Sequence, residues 1–282
     1  MKASYKKYIL DFKRPSGTSR GVLHQKETWF LIITNKDKIG IGECGILKGL
    51  SFDDVPDYEE KLKWTCENIN LGKDKLWKEL IDYPSIQFGV EQAFISFNSE
   101  NPFELFPSDF TRREAPIAIN GLIWMGNENF MHEQIQQKIT EGFKCIKMKI
   151  GAINFDTELK LIASIRKKYS KDEIELRVDA NGGFSSSDAL NKLKQLADYD
   201  LHSIEQPIKQ GNYIEMKKLC ANTPLPIALD EELIGVKTIT EKEELLRTIQ
   251  PQYIILKPSL VGGYKGCQEW ISIANKNNIN WW

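Results

Sequence analysis

From about Glu114 onward the chain alternates short apolar runs with amphipathic helical stretches, and the runs end in charged residues at near-constant intervals. The runs are PIAING, CIKMKIG, IELRVDANGG, LHSIEQPI, LPIALDEEL and YIILKPSLVGG, separated by stretches such as DTELKLIASIRKKYS and SSSDALNKLKQLADY. Strand then helix, repeated, means a parallel sheet. Lys149 to Asp179 is 30 residues, Asp179 to Glu205 is 26, Glu205 to Asp230 is 25 and Asp230 to Lys257 is 27, one βα unit per polar residue. A doubly wound sheet puts its ligand only at a switch point, whereas a (β/α) barrel brings the C-terminal end of every strand to one mouth. The spacing therefore predicts an α/β protein with a TIM-type (β/α) barrel over residues 114–282. By this count the seventh strand starts at NNINWW, where the 282-residue chain stops, so the barrel is expected to be incomplete at the C-terminus, truncated near strand seven and open on one side.

The first hundred residues follow a different pattern. TWFLIITN and KIGIGECGIL read as antiparallel strands joined by NKDK and preceded by a loop, RPSGTSRG. From Asp54 to about Asn98 the period lengthens, with Leu62, Trp64, Leu76, Leu80 and FGVEQAFISF marking helices. The polar segment FPSDFTRREAP carries two prolines and makes a boundary near Glu114. An α+β domain over residues 1–113 is expected.

Composition removes several classes of function. Lys and Arg number 38 against 39 Asp and Glu, a net charge of -1 that draws the chain toward neither nucleic acid nor an acidic membrane surface. The opening MKASYKKYILDFKR lacks the apolar core of a signal peptide, and no apolar run approaches the roughly 20 residues that span a bilayer. The expectation is a cytoplasmic protein. Five scattered cysteines without a CxxC pair read as reduced thiols, not as a disulfide framework or a zinc site. Small-molecule chemistry is left.

Asp179, Glu205 and Asp230 each end an apolar strand, and three negative charges converging on one mouth repel unless a cation joins them. Carboxylates without nearby His or Cys suit a hard ion, so Mg²⁺ is expected, with Mn²⁺ as a possible substitute. Any one such acid could instead cap the following helix. Lys147 and Lys149 are two apart and point to one side of a strand, where like charges depress each other's pKa and make a general base. A solvated strand face is the plainer alternative, against which the flanking Cys145, Ile146, Met148 and Ile150 argue. Lys257 ends the sixth strand, four strands from Lys149, so the two lysines bracket a bound substrate. The preceding YIIL and the following Gly262-Gly263 pair, suited to close ligand approach, speak against a surface lysine there; Ser259 lies in the same segment. Arg177 and Asn181 flank Asp179 at two residues on either side and face the same way, as substrate contacts or as barrel filling. Ser19 and Arg20, in the Gly/Ser-rich RPSGTSRG, suit a lid over an anionic substrate or a plain hairpin loop. His24, His132 and His202 stand in no strand-end acid pair, and no GxSxG, GxGxxG or P-loop is present.

These motifs resemble those of the enolase superfamily: the KxK pattern at Lys147 and Lys149, D-x-N at Asp179 and Asn181, IEQP with Glu205, ALDE with Asp230 and Glu231, and LKPS…GG with Lys257. The likeness runs from about Glu114 to the end, and the N-terminal domain looks like that superfamily's capping domain, a specificity lid. It implies Asp179, Glu205 and Asp230 as Mg²⁺ ligands and Lys149 and Lys257 as the paired lysines. LKPSLVGG, RVDANG and the short cap look most like the o-succinylbenzoate synthase branch, which serves menaquinone biosynthesis. That likeness implies a hydro-lyase: syn-dehydration of 2-succinyl-6-hydroxy-2,4-cyclohexadiene-1-carboxylate, with Lys149 removing the α-proton and Lys257 stabilising the intermediate. Lys147 would lower the pKa of the base or contact the carboxylate. The same parts serve an L-Ala-D/L-Glu dipeptide epimerase or an N-acylamino acid racemase, and an inactive metal-binding scaffold is the reading from another class.

Overall fold

The computed structural model describes residues 1–18, 21–151 and 153–282. The N-terminal alternation becomes three antiparallel strands, β1 (Lys2–Thr18), β2 (Gly21–Asn35) and β3 (Lys38–Gly45), paired in that order. Trp29, Leu31 and Ile33 fall on one face of β2 by the two-residue period, and all three are buried. Three helices follow: α1 (Tyr58–Glu67), α2 (Lys73–Glu79) and α3 (Pro84–Asn98). Leu62 and Leu76 within them, and Leu80 just after α2, are fully buried against the sheet's apolar face. Each such side chain contributes about 1.5–3 kcal/mol by leaving water. β3 lies close on α3 because glycines meet at the contact, and a Cβ on Gly42 would stand 1.9 Å from the Gly89 carbonyl oxygen.

RPSGTSRG is less of a loop than its composition implies. β1 runs through Thr18 and β2 restarts at Gly21, with a register shift between Asp11 and Ser16. Ladder pairing holds a Gly/Ser-rich run extended by satisfying its backbone groups. Ser19 and Arg20 lie outside the described residues.

Residues 99–120 form neither helix nor strand, and the boundary expected near Glu114 falls among them. The run PIAING was expected as the first barrel strand, but β4 is Gly121–Ile123 and starts just after it. The reason is the partner: β4 pairs from Gly121 with Ile146 of the next strand, whose own N-terminal end is Cys145, so nothing remains for Ile117 and Ile119 to pair with. They are 55% and 64% exposed.

The barrel then alternates strand and helix, with two helices after its sixth strand. After β4 come α4 (Glu128–Thr140), β5 (Cys145–Lys149), α5 (Phe155–Arg166), β6 (Glu175–Asp179), α6 (Ala189–Ala197), β7 (Ser203–Glu205), α7 (Tyr213–Asn222), β8 (Ile227–Leu229), α8 (Ile239–Ile249), β9 (Tyr253–Ile254), α9 (Pro258–Val261), α10 (Gly263–Lys276) and β10 (Asn280–Trp281). All seven strands are parallel and neighbour one another in chain order. Among the described residues β4 and β10 do not pair, so the ring is open on one side, as the strand count implied.

Local signals fix the helix starts. The Asn154 side chain accepts from the amides of Asp156 and Thr157, and Thr238 with Glu241 forms a capping box on α8. On β5 the outward Ile146 and Met148 are buried under the helices, which turns Lys147 and Lys149 into the barrel. α3 rests on α9 and α10 and seats the N-terminal domain over the C-terminal ends of the strands.

Candidate active site

Pairing in register levels the charged residues. Lys149 sits opposite Asp179, and Asp179 opposite Glu205, at the C-terminal ends of β5, β6 and β7. Asp230 follows β8, and Lys257 follows β9 as the residue before α9. Four carboxylates, Asp179, Glu205, Asp230 and Glu231, are each at most 3% exposed. Buried charge of one sign is costly without partners, and three ammonium groups supply them. Lys147 Nζ lies 2.6 Å from Glu205 Oε2 and 3.4 Å from Asp179 Oδ2. Lys149 Nζ donates to Asp179 Oδ2 at 3.0 Å and to Asn181 Oδ1 at 2.7 Å. Lys257 Nζ donates to Asp230 Oδ2.

Asn181 links two sides of the mouth, since its Nδ2 donates to Glu231 Oε1 at 2.9 Å. It adopts the left-handed region, φ 43°, which asparagine tolerates better than most residues.

The charges reshape one another. Burial raises the Glu205 carboxyl and the adjacent Asp179 adds to it, to about 7 despite Lys147. For Asp179 burial pulls upward, yet Lys147 and Lys149 outweigh it and the net shift is down. Glu231 is raised by burial, then by Asp230 and Asp179. Lys147 does not show the depression expected for it beside a second lysine: burial opposes its charge, but Glu205 and Asp179 outweigh burial and hold it above the ordinary lysine value. Lys257 follows the same pattern, with burial lowering it and Asp230 prevailing. The sequence showed two like charges side by side; it did not show the opposite charges across the barrel.

Above these groups lies a cavity of about 460 Å³ between the two domains. Its floor carries Lys149, Asn181, Glu231 and Lys257; Phe12, Leu23, Leu50 and Trp124 give it an apolar wall, and Lys48 a third cation. Such a space suits a carboxylate with a small ring. Asp179, Glu205 and Asp230 lie beneath the floor with oxygen donors only, a set that suits Mg²⁺. Among the described residues no three His, Cys, Asp or Glu side chains already stand as a metal-holding group, because lysine ammoniums sit between the carboxylates.

Several expected substrate contacts are placed elsewhere. Arg177 is turned away from the cavity: its Nε donates to Glu175 Oε1 at 2.6 Å and its guanidinium lies 4.2 Å from the Trp282 ring centre. Barrel filling is the alternative the structure supports, because Glu175 two residues away captures the charge. Gly262 and Gly263 are buried and approach Gln87 and Glu91 of the N-terminal domain, not the cavity. Ser259, in α9, does not line the cavity either. Conversely Lys48, Leu50 and Trp124 went unremarked in the sequence. Trp124 directly follows β4 and was open to the strand-end rule that found the acids; Lys48 and Leu50 reach the mouth only through the docking of the two domains.

Comparison with known proteins gives the chain its relatives. Residues 131–282 match the family model described as enolase C-terminal domain-like. The chain is 42% identical over 313 aligned positions to an o-succinylbenzoate synthase of Desulfotalea psychrophila, covering 100% of this chain and 85% of that protein. It superposes on the crystal structure of MenC from Desulfotalea psychrophila LSv54 with a TM-score of 0.86 and 38% identity, covering 100% of this chain and 85% of that one. The o-succinylbenzoate synthase of Thermosynechococcus elongatus BP-1, solved with Mg in its active site, shares the fold at a TM-score of 0.77 and 19% identity, over 96% of this chain and 81% of that one.

Proposed function

The chain belongs to the enolase C-terminal domain-like family, and we propose that it is an o-succinylbenzoate synthase of menaquinone biosynthesis. The observation that carries this reading is 42% identity running through the whole chain, the N-terminal domain included. That domain gives the cavity Phe12, Leu23, Lys48 and Leu50, so it is the part a change of substrate would be expected to alter.

The reaction is a hydro-lyase step on a cyclohexadiene carboxylate. Lys149 takes the proton from the carbon bearing the carboxylate, and its Nζ is held for this by Asp179 and Asn181. The electrons released break the carbon–oxygen bond at the neighbouring ring carbon. In a syn-elimination the departing hydroxyl lies on the Lys149 face, takes back the proton from the Lys149 ammonium and leaves as water, and the ring becomes aromatic. Lys257, whose Nζ approaches from the Asp230 side, steadies the negative charge that builds up on the substrate carboxylate. Lys147 offsets the buried carboxylates Glu205 and Asp179. The apolar wall excludes water from the ring, and residues 1–113 act as the specificity lid over the catalytic barrel of residues 114–282.

Asp179, Glu205 and Asp230 would hold Mg²⁺. Glu205 fits that role on its own geometry, because its Oε1 is buried without a hydrogen-bond partner among the described residues. Held there, Mg²⁺ would supply positive charge beside the substrate carboxylate; Mn²⁺, with similar ligand preferences, should substitute. The partner is a small carboxylate. Free thiols at all five cysteines suit a reducing cytoplasm, and no described helix is long and apolar enough to cross a membrane.

An epimerase uses the same two lysines but returns the proton. Incubation with the cyclohexadiene substrate and with L-Ala-L-Glu in deuterated water, followed by NMR, separates the readings. Aromatic product from the first and no α-deuteration of the second is expected; deuterated dipeptide without aromatic product would replace this assignment with the epimerase.

A further inference from the structure

Lys257 is the least supported of the three site lysines. Lys147 has two carboxylates and Lys149 a carboxylate and an amide, whereas among the described residues the Lys257 ammonium hydrogen-bonds Asp230 alone. Its place therefore depends on its backbone. From Lys257 the chain makes the single turn of α9, in which the Leu260 amide donates to the Lys257 carbonyl at 2.8 Å, and enters Gly262 and Gly263 with φ of 92° and 74°.

Those two glycines are gripped from the other domain. Trp77 Nε1 donates to the Gly262 carbonyl at 2.9 Å, and Gln87 Nε2 donates to the Trp77 carbonyl at 2.7 Å. Glu91, on α3 and 5% exposed, accepts from the Tyr264 amide at 2.6 Å and the Lys265 amide at 3.2 Å, in the first turn of α10. Free amides and the helix dipole both favour a carboxylate at that place. The approach leaves no room for side chains: a Cβ on Gly262 would lie 2.8 Å from Gln87 Oε1, and one on Gly263 2.2 Å from Glu91 Oε2. Lys265 Nζ closes the contact 4.2 Å from the Trp77 ring centre.

We propose that Glu91 is a positioning residue for Lys257, acting from the N-terminal domain through the Gly262-Gly263 backbone. This rests on the role given above to Lys257. The loop after β9 belongs to the barrel, yet these ties to it come from the domain that covers the substrate. Seating that domain and placing the second lysine are thus one event, and the glycine pair is bare because cap side chains, not a ligand, occupy the space.

The test compares wild type with Glu91→Ala and Glu91→Gln, each with Mg²⁺ and the cyclohexadiene substrate, alongside amide hydrogen exchange. Glu91→Ala is expected to lower kcat about tenfold, as small misplacements of catalytic groups do, with KM nearly unchanged. Exchange should quicken at residues 257–265 and stay unchanged in β5 to β8. Glu91→Gln, which keeps one acceptor oxygen, should recover most of kcat. Unchanged kcat, or a rise in KM with exchange quickened throughout the N-terminal domain, would overturn the proposal in favour of simple domain packing. If wild type makes no aromatic product, the reaction assignment fails by itself; the exchange result still decides the clamp, which falls if residues 257–261 are as protected in Glu91→Ala as in wild type.

Discussion

Lys147 Nζ stands 2.6 Å from Glu205 Oε2 although their strands are not neighbours: β6 lies between β5 and β7, and the contact crosses the barrel interior. The lysine thereby compensates a carboxylate that is 1% exposed. Replacing Lys147 with Met leaves that charge without its cation, and breaking a buried pair typically costs about 3–5 kcal/mol. The expected loss in urea denaturation is at the lower end of that range in EDTA, because Lys147 keeps partial access to water. Saturating Mg²⁺ should recover much of it by binding only the folded state. Equal losses with and without Mg²⁺ would show that the ion does not meet Glu205.

Lys149 and Asn181 form the second decisive pair. Lys149→Ala is expected to lower kcat by at least about 100-fold, the lower end of what a general base provides. Mg²⁺ affinity by calorimetry should change little, since the three carboxylates remain. Retained dehydration would remove Lys149 from the base position.

Asn181 is predicted to serve two separable purposes. Asn181→Ala loses the hydrogen bond to Lys149 and also strains a left-handed residue, a cost of about 1 kcal/mol. Asn181→Gly relieves the strain but not the lost contact. Melting temperature should therefore recover in the glycine variant while kcat stays low; recovery of both would reduce Asn181 to a turn residue.

Asp53 gives the N-terminal domain a pH signature. Burial raises its carboxyl from 3.8 to about 6, while its Oδ2 accepts from the Ser85 amide and hydroxyl. A carboxyl whose pKa is higher in the folded state binds its proton more tightly there. Its ionisation therefore costs stability as pH rises through the interval from about 4 to 6, by at most about 3 kcal/mol, and protonation restores that stability below it. Asp53→Asn should gain stability relative to wild type across that interval and run parallel outside it. A constant difference from pH 4 to 7 would mean that Asp53 titrates normally.

Much of this molecule is legible in the sequence because a barrel repeats one instruction. The strand ends at Lys149, Asp179, Glu205 and Asp230 could be counted from charge following an apolar run, and the structure brings all four to one mouth. Legibility failed where a residue's meaning depends on a partner distant in the chain. Arg177 shares a face with Asp179 but is captured by Glu175, and PIAING is strand-like yet meets no partner before Gly121. Gly262 and Gly263 signalled a close ligand approach, but what approaches is α3, more than 160 residues earlier. The upward shift of Lys147 belongs to the same class, set by Glu205 at 58 residues' separation.

Metal-dependent dehydration at this mouth is tested most directly by the absorbance of o-succinylbenzoate formed from 2-succinyl-6-hydroxy-2,4-cyclohexadiene-1-carboxylate, with Mg²⁺ and with EDTA. Aromatisation with Mg²⁺ that stops with EDTA and returns with Mg²⁺ or Mn²⁺ is the predicted result. No conversion while Mg²⁺ is bound, shown by a raised melting temperature, would contradict the synthase assignment while leaving the carboxylate site in place.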